Sequence, residues 1–331
     1  MIERPEYLGK HTCVAHLKPA HIKKIPYLKD NQGALPPFIL AMGDARRLEL
    51  ACQVLKLTNI VRLHQKTEKL IGLTGRGRVD VILGTYTHKK KSIPLLLVET
   101  QMGMPANEII MREVLAHASN KYVFQGKMIV TDGINVIRVG TAGGINASDG
   151  QAPTIRVGDM VNAVFSMGWA GTLLESLGGI NYASPEVTHR FAERWKKLGF
   201  DFTEDNKFPR AKSASTLVDA VDKAGQELRV TTYRGGNFSK DSLYAELNDQ
   251  AFVELREKYN VMSTEMEQMA VAKVAGDFEQ HGVRVNAGLV SGVIGVIPGA
   301  SFTQGKYEDV EKKAIRVAGR AMWEMGKCSS V

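Results

Sequence analysis

Phe38-Ile39-Leu40-Ala41-Met42-Gly43-Asp44-Ala45-Arg46-Arg47 is the stretch whose reading decides the fold. A run of apolar residues too short for a helix meets a glycine, then an aspartate suited to cap the helix-period segment Ala45 to Leu55. Strand, turn and helix follow within about eighteen residues, which is one half of an α/β unit. Working outward, further buried strands are expected at Val79–Leu83, Pro94–Val98 and Val136–Val139. Helices are expected over Ala45–Leu55, Asn107–Ser119, Ser215–Leu228, Asn248–Lys258, Thr264–Phe278 and Tyr307–Met325. This alternation predicts a three-layer α/β/α sandwich around a central mixed sheet.

The chain has 331 residues, 44% of them apolar, enough to bury a large core, and no eighteen-residue apolar run suggests a membrane span. With no linker-like composition and no internal repeat, residues 1–331 read as one domain, with an N-terminal extension over about residues 1–20 and an insertion within about residues 167–212. A helix is expected inside that insertion from Pro185 to Leu198. The N-terminus lacks the pattern of a secretory signal, so a cytoplasmic location is the expectation. Cys13, Cys52 and Cys328 form neither a disulfide framework nor a zinc-ligand pattern, and no metal is expected. The net charge of +8 is spread along the chain, and Lys89-Lys90-Lys91 reads as a solvated hairpin tip. Nucleic acid is therefore not the expected partner, while an anionic small substrate would gain from the positive field.

Three separated segments carry groups for such a substrate. Gly43-Asp44-Ala45-Arg46-Arg47 and Arg138-Val139-Gly140-Thr141-Ala142-Gly143-Gly144 offer backbone N–H groups, guanidinium forks and a hydroxyl matched to a phosphate-sized anion. Glu265-Met266-Glu267, placed by its periodicity on a helix, offers a carboxylate that can accept from adjacent sugar hydroxyls. Each segment also has a plainer reading. The first suits a capped strand-to-helix turn with surface arginines, the third a helix N-terminus that favours acidic residues, and Met102 and Met104 suit core filling. A Rossmann dinucleotide site is disfavoured, because no Gly-x-Gly-x-x-Gly opens a helix with an acidic residue suitably downstream.

Taken in order with Gln101-Met102-Gly103-Met104-Pro105 and Phe238-Ser239-Lys240-Asp241-Ser242-Leu243-Tyr244, these segments resemble the nucleoside phosphorylases of the purine nucleoside and uridine phosphorylase superfamily, from about His21 to Met325. The resemblance implies the phosphorylase/hydrolase-like fold and reversible phosphorolysis of a ribonucleoside to free base and ribose 1-phosphate. Inorganic phosphate is then the co-substrate, with no other cofactor. It places phosphate on Gly43, Arg47, Arg138 and Thr141, with Arg78 or Arg76 supplied across a homodimer or larger homo-oligomer. Ribose falls to Met266, Glu267 and Met102, with His21 or His16 at the 5′-hydroxyl, and the base to Leu243, Tyr244, Ile294 and Gly143. Arg138 and Glu267 are the residues expected at the reacting atoms.

Base choice is where the pattern departs from the family. Purine enzymes of the superfamily carry an aspartate on a late strand, and here that position falls near Gly295 in the run Ala287–Ile297. Uridine enzymes carry an inserted loop after the pair matching Leu243-Tyr244, and here the next helix follows quickly. The Gly225-Gln226-Glu227-Leu228-Arg229 segment resembles a uracil reader but belongs by periodicity to the end of the Ser215–Leu228 helix. The missing acid tips the expectation slightly toward uridine, with a purine nucleoside phosphorylase as the alternative. Two rivals remain: a nucleosidase that uses water, and a noncatalytic nucleoside-binding relative.

Overall fold

The computed structural model describes residues 25–62, 79–148, 150, 153–169, 201–204, 208–241, 249–299 and 307–327. The expected Pro185–Leu198 helix lies outside these residues, as do His16, His21, Arg76, Arg78, Leu243 and Tyr244.

The opening stretch forms β1 (Phe38–Met42) and α2 (Ala45–Val54), preceded by a short α1 (Pro26–Asp30). Then come β2 (Thr58–Arg62), β3 (Val81–His88), β4 (Lys91–Glu99), α3 (Met104–His117), β5 (Lys121–Phe124), β6 (Lys127–Val130), β7 (Ile134–Ile145), β8 (Met160–Trp169), β9 (Asp201–Phe202) and β10 (Pro209–Lys212). The chain continues through α4 (Ser215–Leu228), β11 (Thr232–Lys240), α5 (Asp249–Tyr259), β12 (Val261–Glu265), α6 (Gln268–Gln280), β13 (Val285–Ile297) and α7 (Tyr307–Lys327). The Gly225–Leu228 segment is the end of α4, as its periodicity predicts, and Lys89-Lys90 is the turn between β3 and β4, both residues at positive φ.

β1 lies between β4 and β7, parallel to both, with Ile39 beside Leu96 on one side and Val136 on the other. Side chains alternate across this sheet. Phe38, Leu40 and Met42 enter one core with residues of α2, α4 and α7, whereas Ile39 and Ala41 enter a second core with α3 and α6. Two covered faces explain why β1 is apolar throughout, and they give the three layers and mixed sheet expected.

Beyond β7 the pairing turns back on itself. β7 pairs with β13, β13 with β8, β8 with β11, β11 with β12, and β12 again with β7. A closed circuit of this kind removes free strand edges. It also brings the end of β12 against the end of β7, with Thr264 opposite Gly143 and Ser263 opposite Gly144.

One boundary differs from the sequence expectation. The helix expected over Thr264–Phe278 begins at Gln268, because Val261 to Glu265 continue as a buried strand and Glu265 spends its carboxylate on the backbone beyond it. Apolar periodicity does not mark this junction, since buried residues run through strand and helix alike.

Close backbone approach fixes β8 against β11. A Cβ added at Gly168 would stand 2.6 Å from the carbonyl oxygen of Ser239, its partner in the ladder. Gly168→Ala is expected to destabilise the protein by about 1–3 kcal/mol through overpacking. Urea denaturation checks this, and an unchanged midpoint would mean that the strands separate freely.

Candidate functional site

Parallel strands β1, β4 and β7 end together, and the helices that follow β1 and β4 start there, which is where α/β sheets offer ligands their crevice. At the end of β1, Asp44 caps α2 by accepting from the Arg47 amide at 2.9 Å. The capping reading of this turn therefore holds, but its companion, surface arginines, holds only for Arg46. Arg46 keeps 55% of its side chain exposed, whereas Arg47 and Arg138 are buried.

The two buried guanidinium groups come from opposite faces of the sheet and meet over Gly43. A Cβ there would lie 3.4 Å from Nη1 of Arg47 and 3.5 Å from Nη2 of Arg138. Gly43 thus puts no side chain where the two cations approach its backbone. Thr141 lies at the same place, its hydroxyl accepting from Nη2 of Arg47 at 3.3 Å. Gly43, Arg47, Arg138 and Thr141, the four residues expected at an anion, are brought together.

Arg47 is held in its orientation by residues that the motif did not reveal. Its Nε donates to Glu311 at 2.5 Å, and Nη2 donates to the Tyr307 hydroxyl at 2.5 Å. Burial works against the Arg47 charge, but Tyr307, Glu311 and Asp44 together hold its pKa above the ordinary value. The only trace of Glu311 and Tyr307 in the sequence is their i, i+4 spacing at the start of α7.

Glu267 stands between the end of β12 and α6. β12 runs antiparallel to β7, so continuing past Glu265 carries the chain back toward Arg138. Nη2 of Arg138 donates to Oε2 of Glu267 at 2.9 Å, and the Gly103 amide donates to Oε1 at 3.1 Å. Gly103 precedes α3 at φ +90°, and its loop is tied by Asn107, whose side-chain amide donates to the Gly103 carbonyl at 3.0 Å. Asn107 is wholly buried and is a further residue that sequence reasoning missed.

The two glutamates of this segment divide their work. Burial, and then the neighbouring Glu267 charge, push the Glu265 carboxyl up from its ordinary value. For Glu267 burial also pushes upward, but Arg138 and the Gly103 amide outweigh it and hold the carboxyl below its ordinary value. Glu265 is fully engaged: Oε1 accepts from Asn237 at 2.8 Å and from Ser239, while Oε2 accepts from the amides of Glu267 and Gln268 at 2.8 and 2.9 Å. Glu267 accepts from Arg138 and from the Gly103 amide and also shares a side-chain hydrogen bond with the Glu265 carboxyl. A carboxylate has about four lone-pair sites, so acceptor capacity remains. Paired carboxyls pushed apart in this way are a mark of functional sites.

Of the remaining expected contacts, Met266 is half-buried beside Glu267 and Met102 is 72% exposed, which excludes core filling for Met102. Gly143 is buried opposite Thr264 and Gly295. Ile294 is partly buried against the core that α7 covers. A separate cleft of about 510 Å³ between β10 and α6, lined among others by Arg210, Lys212, Lys273 and Glu279, shares no lining residue with this site. Among the described residues no group of three or more His, Cys, Asp or Glu side chains has a metal-holding arrangement, and no helix is long and apolar enough to cross a membrane.

Comparison with known proteins places this geometry in context. The model of the phosphorylase superfamily matches residues 38–324. The structure is similar to that of uridine phosphorylase from Vibrio fischeri ES114 in complex with 6-hydroxy-1-naphthoic acid, at 18% identity over 90% of this chain and 93% of that one, with a TM-score of 0.56. A second structure of uridine phosphorylase from Vibrio fischeri ES114 is similar at 19% identity over 90% and 94% of the two chains, with a TM-score of 0.55. No curated protein sequence matches.

The Arg138–Glu267 pair carries a signed pH dependence. The Glu267 carboxyl sits below its ordinary value, so the stability it contributes is present above that value and is lost as pH falls through the folded-state value. Arg138→Met leaves the carboxylate buried without a cation, beside only the Gly103 amide and the Glu265 carboxyl, and at neutral pH it should cost about 3–5 kcal/mol. That cost should shrink on acidification, as the stranded carboxyl protonates. Urea denaturation of both proteins from neutral to mildly acid pH checks this, and a cost independent of pH would show that the pair is not the origin.

Proposed function

The chain belongs to the phosphorylase superfamily, and from that premise we propose that it is a nucleoside phosphorylase, with uridine the first substrate to test. The observation that carries this reading is the convergence of Arg47 and Arg138 over Gly43 with Glu267 paired to Arg138. Anion site and carboxylate share one arginine and are therefore neighbours, as a phosphate and the ribose it attacks must be.

In this reading phosphate sits over Gly43 between the two guanidinium groups, with the Thr141 hydroxyl as a further donor. Glu267 accepts from the ribose hydroxyls through the acceptor capacity that Arg138, Gly103 and Glu265 leave open. A phosphate oxygen forms a bond to the anomeric carbon as the bond from that carbon to the base nitrogen breaks. The electron pair leaves with the base, which takes up a proton from solvent. Positive charge grows on the sugar in the transition state, and an ionised carboxylate held in a buried setting is placed to favour it. Alignment of nucleophile and carbon is worth about 7–11 kcal/mol, so the residues that position phosphate and ribose carry most of the acceleration. Water in place of phosphate would leave the two guanidinium groups that approach Gly43 with no anion to share, which separates this reading from a nucleosidase.

Two features bear on the base and pull in opposite directions. Gly295 lies opposite Gly143 and offers no carboxyl to protonate a leaving purine, an aid worth about 100- to 10,000-fold where it exists. This favours uridine. Only residues 241–248 separate β11 from α5, too few for the added loop of uridine enzymes, and this favours an altered purine enzyme. We also propose assembly as a homodimer or larger homo-oligomer, with Arg78 or Arg76 of one copy completing the phosphate site of the other.

The test is cleavage of uridine, thymidine, inosine, adenosine and guanosine with and without phosphate, reading free base and ribose 1-phosphate. Phosphate-dependent release is expected; nucleoside binding without release would instead identify a noncatalytic relative. Arg47→Met is expected to raise the KM for phosphate by roughly tenfold or more with a smaller change in the KM for nucleoside. Glu267→Gln is expected to lower kcat by about 100- to 1,000-fold with every accepted nucleoside. Steady-state kinetics checks both, and a Glu267→Gln protein with normal kcat would remove Glu267 from the chemistry.

A further inference from the structure

The first two turns of α7 present Tyr307 and Glu311 on one face, and both touch Arg47. An arginine has five N–H donors in a plane. Nε–H of Arg47 goes to Glu311 and the Nη2 hydrogens face Tyr307 and Thr141, which leaves Nη1, the nitrogen that approaches Gly43. The guanidinium also lies 5.9 Å from the centre of the Tyr307 ring. α7 therefore sets the rotation of the Arg47 fork.

Tyr307 itself is 37% exposed, yet its hydroxyl is turned inward, 2.5 Å from Arg47 Nη2 and 3.4 Å from Thr141 Oγ1. A phenol both accepts and donates. While its oxygen accepts from Arg47, its own proton is left for another acceptor, and the 3.4 Å separation from Thr141 is long for an O–H···O bond. An anion over Gly43 would be that acceptor. Resting on the reading of this site as a phosphate site, we infer that Tyr307 is a further phosphate ligand whose O–H donates to an oxygen of the anion held by Arg47, Arg138 and Thr141. A neutral donor strengthens the cage without adding positive charge beside the cationic sugar.

The test compares wild type with Tyr307→Phe, which keeps the ring over Arg47 and removes only the hydroxyl. Calorimetric titration with inorganic phosphate alone is expected to show about tenfold weaker binding in the variant, the size of one hydrogen bond to a charged partner. The KM for phosphate should rise by the same factor, with the nucleoside KM and Tm unchanged. Equal phosphate affinity in the two proteins would overturn the assignment, as would a lowered Tm with both KM values raised alike, the signature of a purely structural tyrosine. A wild type that binds phosphate but cleaves no nucleoside would sink the phosphorylase reading, and the same titration would still decide Tyr307. A wild type that binds no phosphate overturns the ligand role outright.

Discussion

The buried pair between Arg138 and Glu267 is the constraint around which this end of the molecule is arranged. A carboxylate that loses nearly all contact with water is costly unless a cation and donors replace that water. Here the cation comes from β7 and a second donor from the turn before α3, while Glu267 itself stands at the turn before α6. Three parts of the chain distant in sequence must therefore arrive together for the pair to form. The same pair joins the two halves of the site, because Arg138 approaches Gly43, where we propose the anion, with the nitrogen that also holds Glu267.

Around this pair the fold repeats one local device. β1, β4 and β12 each run into a short turn that opens a helix, and each turn contributes to the site. Gly43 and Arg47 come from the first, the Gly103 amide from the second and Glu267 from the third. Helix starts have free N–H groups, and Asp44 and Glu265 are spent on satisfying such groups rather than on substrate. That division separates the acidic residues of the site. Asp44 and Glu265 serve the backbone, Glu311 serves Arg47, and Glu267 retains open acceptor sites.

Much of this was legible before any coordinates. The apolar run ending in Gly43-Asp44 identified β1 and the start of α2, because a strand covered on both faces has no polar positions and a capped turn has few alternatives. The ends of α4 were equally readable from its period. Thr264–Glu265 was misread as helix, since burial in strand and helix leaves the same apolar pattern. Glu311, Tyr307 and Asn107 went unseen for a different reason. Each acts through a partner that is remote in sequence or through a backbone group, and neither leaves a motif.

The sequence by itself determined the layered α/β class, the positions of most of its elements and the residue types suited to an anion and a sugar, because periodicity, turn chemistry and side-chain chemistry are local. Tertiary structure alone decided which of those residues meet. Two arginines from opposite sheet faces converge over Gly43, and Glu267 rather than Glu265 is left with open lone pairs. The first depends on the parallel pairing of β1 with β7, the second on the antiparallel pairing of β12 with β7 and on the partners that β11 and the backbone supply to Glu265. Proximity between distant segments is a property of how strands pair, and no local pattern encodes it.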